Sequence, residues 1–185
     1  MSADDPKRML DTVARIAAAV GLPLTADLEA GYGDPVSTAR AAWEAGAVGL
    51  NLEDRNDPVG EQCERIAAVR AAVPELVVNA RTDVFLGGSG DPDEAVERAN
   101  AYLAAGADCA FAIGLVDGPT IGRLARAIEG PLNVLAAAGS PDVAELARLG
   151  VRRISLGSGL HRASLTAAEA GAAELFERGT YGFLA

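Results

Sequence analysis

The chain is poor in the nitrogen and sulfur groups that most often carry metal or covalent chemistry. It has one histidine, His161, and two cysteines, Cys63 and Cys109, in 185 residues. A lone histidine with no Cys-x-x-Cys pair argues against a zinc centre, and two unpaired-looking thiols make no disulfide framework. Such cysteine usage suits a reducing cytoplasm. Aromatic residues are only 4% of the chain, and Trp43, Tyr102 and Phe111 occupy core-like positions rather than a stacking platform. Basic residues are outnumbered, 16 against 26 acidic, for a net charge of −10. That surface repels phosphate backbones and anionic lipid, so neither nucleic acid nor a membrane is an expected partner. No run approaches about 20 residues free of charge, and the start carries no apolar signal core. A cytoplasmic location is expected.

What is present is a repeat of strand followed by helix. With 50% hydrophobic residues and no linker or low-complexity tract, residues 1–185 read as one domain able to bury a core. Six short apolar runs predict strands: Leu22–Leu28, Val48–Leu52, Leu76–Ala80, Cys109–Ile113, Leu132–Leu135 and Arg153–Leu156. Ala-rich stretches of helical period lie between them, at Val36–Ala45, Glu61–Ala72, Pro92–Ala105, Thr120–Ile128 and Pro141–Leu149. Gly46, Gly106 and Gly150 each follow a helix where a left-handed C-cap is needed. Asp34-Pro35, Asp91-Pro92 and Ser140-Pro141-Asp142 mark helix starts. The alternation implies an α/β fold with a parallel sheet, and continuous apolar strands imply that both sheet faces are covered.

Polar residues gather where successive strands end: Asp27 and Glu29, Glu53 and Asp54, Arg81 and Asp83, Asn133, and Ser155 to Ser158. An open sheet collects its ligands at one switch point, whereas a barrel draws them from nearly every strand. The spread favours an incomplete TIM-type (β/α) barrel of six parallel βα units, since a full barrel takes about 250 residues. Asp27 and Glu29 alternate by two, which puts both carboxylates on one face of an extended strand end. Glu53 arrives at the same height on the next strand. Three converging carboxylates without histidine or thiolate describe a hard-cation site for Mg²⁺, with Mn²⁺ as the alternative. Acidic residues after strands also cap helices or sit solvated, and spacing alone leaves that reading open. Gly31-Tyr32-Gly33 beside the carboxylates lets backbone approach a ligand. Arg81 offers a fixed cationic fork, and a salt bridge to Asp83 or Glu53 is compatible with that role.

The blocks Ala26-Asp27-Leu28-Glu29-Ala30-Gly31-Tyr32-Gly33-Asp34, Asn51-Leu52-Glu53-Asp54, Asn79-Ala80-Arg81-Thr82-Asp83, Pro131-Leu132-Asn133-Val134-Leu135-Ala136 and Gly150-Val151-Arg152-Arg153-Ile154-Ser155 resemble, in order, those of the isocitrate lyase/phosphoenolpyruvate mutase superfamily. The resemblance runs from about residue 10 to the C-terminus. It implies a Mg²⁺-dependent carbon–carbon or carbon–phosphorus lyase, mutase or decarboxylase acting on a small 2-oxo acid or dicarboxylate through a metal-stabilised enolate. By the same resemblance Asp27, Glu29 and Glu53 hold the metal, partly through waters. Arg81 is the catalytic residue, and Tyr32, Gly33, Arg81, Asn133 and Arg162 bind substrate. The Lys-Cys-Gly-His loop of the isocitrate-type lyases is replaced by Asp54-Arg55-Asn56-Asp57-Pro58-Val59-Gly60, so isocitrate-type cleavage is not expected. Cys63 falls in the next helical stretch as a packed thiol. Two strand units that the family carries before Pro6–Val20 have no counterpart, so the expectation is an N-terminally truncated barrel in a homo-oligomer. The alternative is a non-catalytic paralogue that needs a partner to close its barrel. A third reading is a phosphate cradle at Gly157-Ser158-Gly159.

Overall fold

The computed structural model describes residues 6–115 and 117–184, so Asp4 and Asp5, expected at a solvated end, lie outside the described residues. Helix α1 (Lys7–Ala19) precedes six βα units. The strands are β1 (Thr25–Asp27), β2 (Gly49–Glu53), β3 (Val77–Thr82), β4 (Cys109–Ala112), β5 (Leu132–Leu135) and β6 (Arg153–Ser155). The helices that follow them are α2 (Pro35–Glu44), α3 (Val59–Ala72), α4 (Pro92–Ala104), α5 (Gly118–Ala127), α6 (Val143–Leu149) and α7 (Gly159–Arg178). All five strand pairings are parallel and the order is β1-β2-β3-β4-β5-β6. A sheet in sequential order with every crossover alike curls in one direction. Here the curl brings Arg153 Nη2 of β6 to donate to Thr25 Oγ1 of β1 across 3.2 Å. The fold is the incomplete TIM-type barrel that the sequence pattern predicts.

Four helix starts share one device. The carboxylates of Asp34, Asp91, Asp117 and Asp142 accept the backbone N–H of Ser37, Asp93, Thr120 and Glu145, which would otherwise lack an intrahelical partner. The cap of α6 is thus Asp142, not Ser140. The helix ends follow the glycine pattern, with Gly46, Gly106 and Gly150 at φ of 99°, 112° and 104°.

The two faces of the sheet are covered differently. Leu50, Leu52, Val78, Ala80, Ala110, Leu132 and Val134 are buried on the helix side, where they meet Ile66, Val69, Leu124 and Leu146. Their register partners one residue away, Asn51, Asn79, Asn133 and Arg153, turn to the inside of the curl. Cys109 and Phe111 share this face by register with Asn79, Arg81 and Asn133, so the inside of the curl mixes polar and apolar side chains. At the edge it is open, with Thr25 and Asp27 exposed. The first strand is also shorter than predicted, because Pro23 interrupts its start and Leu22 is 76% exposed. Trp43 is half-exposed rather than core, while Tyr102 and Phe111 are buried.

This division predicts unequal costs on the two faces. Leu52→Ala should lose about 2–5 kcal/mol of unfolding free energy in a denaturant titration, whereas Thr25→Ala should stay within about 0.5 kcal/mol.

Candidate functional site

The carboxyl ends of β1 and β2 open onto a cavity of 540 Å³ lined by Glu29, Ala30, Tyr32, Gly33, Pro35, Glu53, Arg55 and Arg65; Asp27 and Arg81 are not among its lining residues. The strands set its floor. Glu53 closes β2 directly opposite Arg81 of β3 in the parallel register. Arg81 Nη1 meets Glu53 Oε2 at 2.9 Å, and Arg81 Nε donates to Asp83 Oδ1 at 2.6 Å. The guanidinium is therefore locked in orientation by two carboxylates, and both expected salt bridges form.

The loop after β1 sets the wall. Backbone hydrogen bonds to β2 run on past Asp27, from Leu28 N–H to the Asn51 carbonyl at 3.1 Å and from Glu53 N–H to the Glu29 carbonyl at 2.8 Å, but Glu29 is at φ 49°, so it reaches the cavity from a left-handed and not an extended backbone. This corrects the expectation that both carboxylates leave one pleated face. Glu29 N–H donates to Asp27 Oδ1 at 3.2 Å, which ties the two acids together. Tyr32 is at φ 52°, and its hydroxyl donates to Glu29 Oε1 at 3.3 Å. Between them Gly31, at φ 96°, passes so near α2 that an added Cβ would lie 2.5 Å from Pro35 Cβ. Only glycine fits there.

The charges do not balance. Partial burial pushes the Glu53 carboxyl above its ordinary range. Arg81 pulls it back, and Asp83, Asp27 and Glu29 push it up further. Burial raises Tyr32 as well, followed by the negative charge of Glu29, Asp27 and Glu53. Among the described residues no three Asp, Glu, His or Cys side chains stand close enough to enclose an ion directly. The expected ligands thus form a shared negative field, not a closed cage. That donor set fits a hydrated Mg²⁺, which keeps several of its waters and is bound through one or two carboxylates, better than a cation that demands a full protein shell.

The remaining predicted residues divide. Asn133 is 1% exposed on the inner face of β5, and neither of its amide atoms has a hydrogen-bond partner. Arg162 lies on α7 and lines a different cavity of 430 Å³ with Gly157, Ser158 and Gly159. Cys63 is packed as expected: its thiol points to the Ala101 carbonyl at 3.6 Å and burial raises it. Burial also pushes Cys109 up to about 11. Neither thiol is poised as an acid.

Sequence reading missed how Asp54 is used. It is fully buried, one residue past Glu53 and on the opposite side of the strand. Its Oδ1 accepts the backbone N–H of Asn56 at 2.9 Å and of Asp83 at 3.0 Å. Its Oδ2 accepts Tyr102 O–H at 2.7 Å and Arg98 Nη1 at 3.2 Å, both from α4. Four donors satisfy a carboxylate that has no access to water. The only sequence signal was the i, i+4 spacing of Arg98 and Tyr102 on a predicted helix.

The family model for phosphoenolpyruvate phosphomutase matches residues 2–176. Oxaloacetate decarboxylase of Chromohalobacter salexigens is 33% identical over 178 residues, covering 85% of this chain and 61% of that protein. A Burkholderia cenocepacia J2315 structure described as a lyase/mutase is 39% identical, with a TM-score of 0.89 over 97% of this chain and 70% of that one. Oxaloacetate acetylhydrolase with its product oxalate is 26% identical, with a TM-score of 0.84 over 95% of this chain and 68% of that one. The same enzyme has been solved with the inhibitor 3,3-difluorooxalacetate. The chain spans about three-fifths of the length of the curated relatives it matches.

The raised carboxyl of Glu53 has a consequence for stability. A folded-state value above the unfolded one means that the native chain binds the extra proton, so stability falls as pH rises through that window. In metal-free protein Glu53→Gln should therefore raise the melting temperature at pH 7. The gain should vanish in acid below the ordinary carboxylate range, where wild-type Glu53 is protonated. Equal melting temperatures at pH 7 would contradict the electrostatic reading.

Proposed function

The chain belongs to the phosphoenolpyruvate phosphomutase family, within the phosphoenolpyruvate mutase/isocitrate lyase superfamily, and from that premise we propose a lyase, mutase or decarboxylase of small 2-oxo acids or dicarboxylates that works through an enolate. The observation that carries this reading is the Arg81 fork, held between Asp83 and Glu53, of which Glu53 also lines the cavity beside Glu29. An acidic pocket attracts an anionic substrate only if a cation offsets its field. Mg²⁺ held by Asp27, Glu29 and Glu53, partly through water, would polarise the substrate carbonyl and stabilise the developing enolate.

The chain's own residues do the rest. Arg81 keeps its charge at any working pH and presents donors beyond those taken by Glu53 and Asp83, so it can hold a substrate carboxylate or enolate oxygen in a fixed plane. Its two carboxylate partners prevent the side chain from swinging, which removes reorganisation at the moment charge develops. Tyr32 and Gly33 shape the wall, and the Tyr32 hydroxyl keeps Glu29 turned to the cavity. Asn133 supplies an unused donor and acceptor on the inner face. The relatives lend support: oxaloacetate is the substrate in the names of two of them, and oxalate, an enolate mimic, is bound in one. The second reading, a chain that is active only with further polypeptide, is favoured by the open inner face at Thr25 and Asp27; Mg²⁺ with oxalate would then leave this chain unaffected.

Oxalate should raise the melting temperature of the chain with Mg²⁺ present and not in its absence. Arg81→Ala should abolish the shift, and Asp27→Ala should raise the Mg²⁺ concentration required. No shift at saturating oxalate and Mg²⁺ would overturn the proposal for this chain.

A further inference from the structure

Asp54 is a charge placed where the cavity has no use for one. It follows Glu53 at the end of β2, yet it is fully buried on the α4 side of the strand. A buried ion pair seldom adds stability over well-packed apolar side chains, so stability alone does not account for a carboxylate there. What it holds in place does.

The register between β2 and β3 ends with Glu53 opposite Arg81. One step further, Asp54 N–H still donates to the Arg81 carbonyl at 3.1 Å, as a parallel ladder requires. The next bond of such a ladder would run from Asp83 N–H to the Asp54 carbonyl. That carbonyl has turned away to accept Asp57 N–H at 2.8 Å, and the side chain stands in for it, with Asp54 Oδ1 accepting Asp83 N–H at 3.0 Å. Asp54 therefore grips the Arg81-Thr82-Asp83 segment at both ends. Asp83 lies beyond the last residue of β3, and its Oδ1 in turn accepts Arg81 Nε–H at 2.6 Å. The Asp54 carboxylate is itself oriented from α4, where Tyr102 O–H and Arg98 Nη1, one helical turn apart, donate to Oδ2 at 2.7 Å and 3.2 Å. Arg98 is braced in turn by Glu94 Oε1 at 2.8 Å.

We propose that Asp54 is a positioning residue for Arg81: it replaces the main chain at the end of the ladder, holds Asp83 where its carboxylate meets Arg81 Nε, and so fixes the plane of the guanidinium from α4. An apolar residue offers no acceptor to Asp83 N–H, and asparagine would turn Nδ2–H toward the two donors of α4. Without Asp54 the guanidinium keeps only Glu53 and can pivot, and a misplacement of about 1 Å is costly for a group that must meet developing charge. The consequence for catalysis rests on the proposed role of Arg81 in binding the substrate anion; the geometric claim does not.

Arg81 Nε–H reports on its own orientation. In heteronuclear NMR spectra of the full chain its signal is identified by its loss in Arg81→Lys, and its exchange with water measures the bond to Asp83. Tyr102→Phe removes one clasp and keeps the ring, so it should speed that exchange about fivefold, and Asp54→Asn should speed it more. Ile121→Val, a core substitution on α5 that lowers the melting temperature by itself, should change the exchange by less than about twofold. In calorimetric titrations with Mg²⁺ present, Asp54→Asn should bind oxalate about tenfold more weakly, and Ile121→Val should bind it as the wild type does. Exchange in Tyr102→Phe and Asp54→Asn no faster than in Ile121→Val would overturn the role of Asp54. Should Asp54→Asn not fold, Tyr102→Phe decides alone. Faster exchange in a chain whose wild type does not bind oxalate with Mg²⁺ would uphold the role of Asp54 and overturn the reading of Arg81 instead.

Discussion

Four carboxylates and one arginine compete for the carboxyl ends of three adjacent strands. Asp27, Glu29, Glu53 and Asp83 all act on the same small volume, and Arg81 offsets only part of their charge. This imbalance is the constraint from which the functional reading follows. A chain with a net charge of −10 gains nothing by crowding further acids into a half-buried pocket unless something positive is to be held there. The raised carboxyl of Glu53 records the cost, and a hydrated dication is the simplest way to remove it.

The fold makes the crowding possible. Sequential parallel strands deliver their ends to one rim, and the alternation of the pleat sends Leu50 and Leu52 to the helices while Asn51 and Glu53 face inward. Holding such a rim rigid takes anchors on the far side of the sheet. Asp54 is the principal one. It joins the turn after β2, the backbone at Asp83 and the α4 side chains Tyr102 and Arg98 in one satisfied buried network, so the orientation of Arg81 is set partly by residues that never reach the cavity.

Much of this was legible in the residues. The six apolar runs, the Asp-Pro helix starts and the Gly C-caps each reflect local physics that tertiary packing had no reason to override. The carboxylates and Arg81 were legible because strand ends place them. Glu29 was foreseen at the site but for the wrong reason, because left-handed backbone at a non-glycine residue leaves no mark in the sequence. The difference between the two faces was not legible, since a short strand such as Leu132-Asn133-Val134-Leu135 looks apolar almost throughout, although every second residue serves a different environment. Asp54 stayed hidden for a related reason. Its role depends on which loops meet α4, a long-range fact that no window of sequence contains. Arg162 was carried onto the site by resemblance, and the structure seats it at another cavity.

The central claim is that this acidic rim holds one hydrated divalent cation beside Arg81. Mn²⁺ electron paramagnetic resonance tests it directly, because bound and free ions differ in signal and added oxalate perturbs only an ion that it ligates. The account predicts one Mn²⁺ per chain, displaced by Mg²⁺, with a spectrum that changes on adding oxalate and binding that is lost when Asp27 and Glu53 are replaced together by Asn and Gln. An ion that still binds in that double variant, or a bound ion indifferent to oxalate, would contradict it.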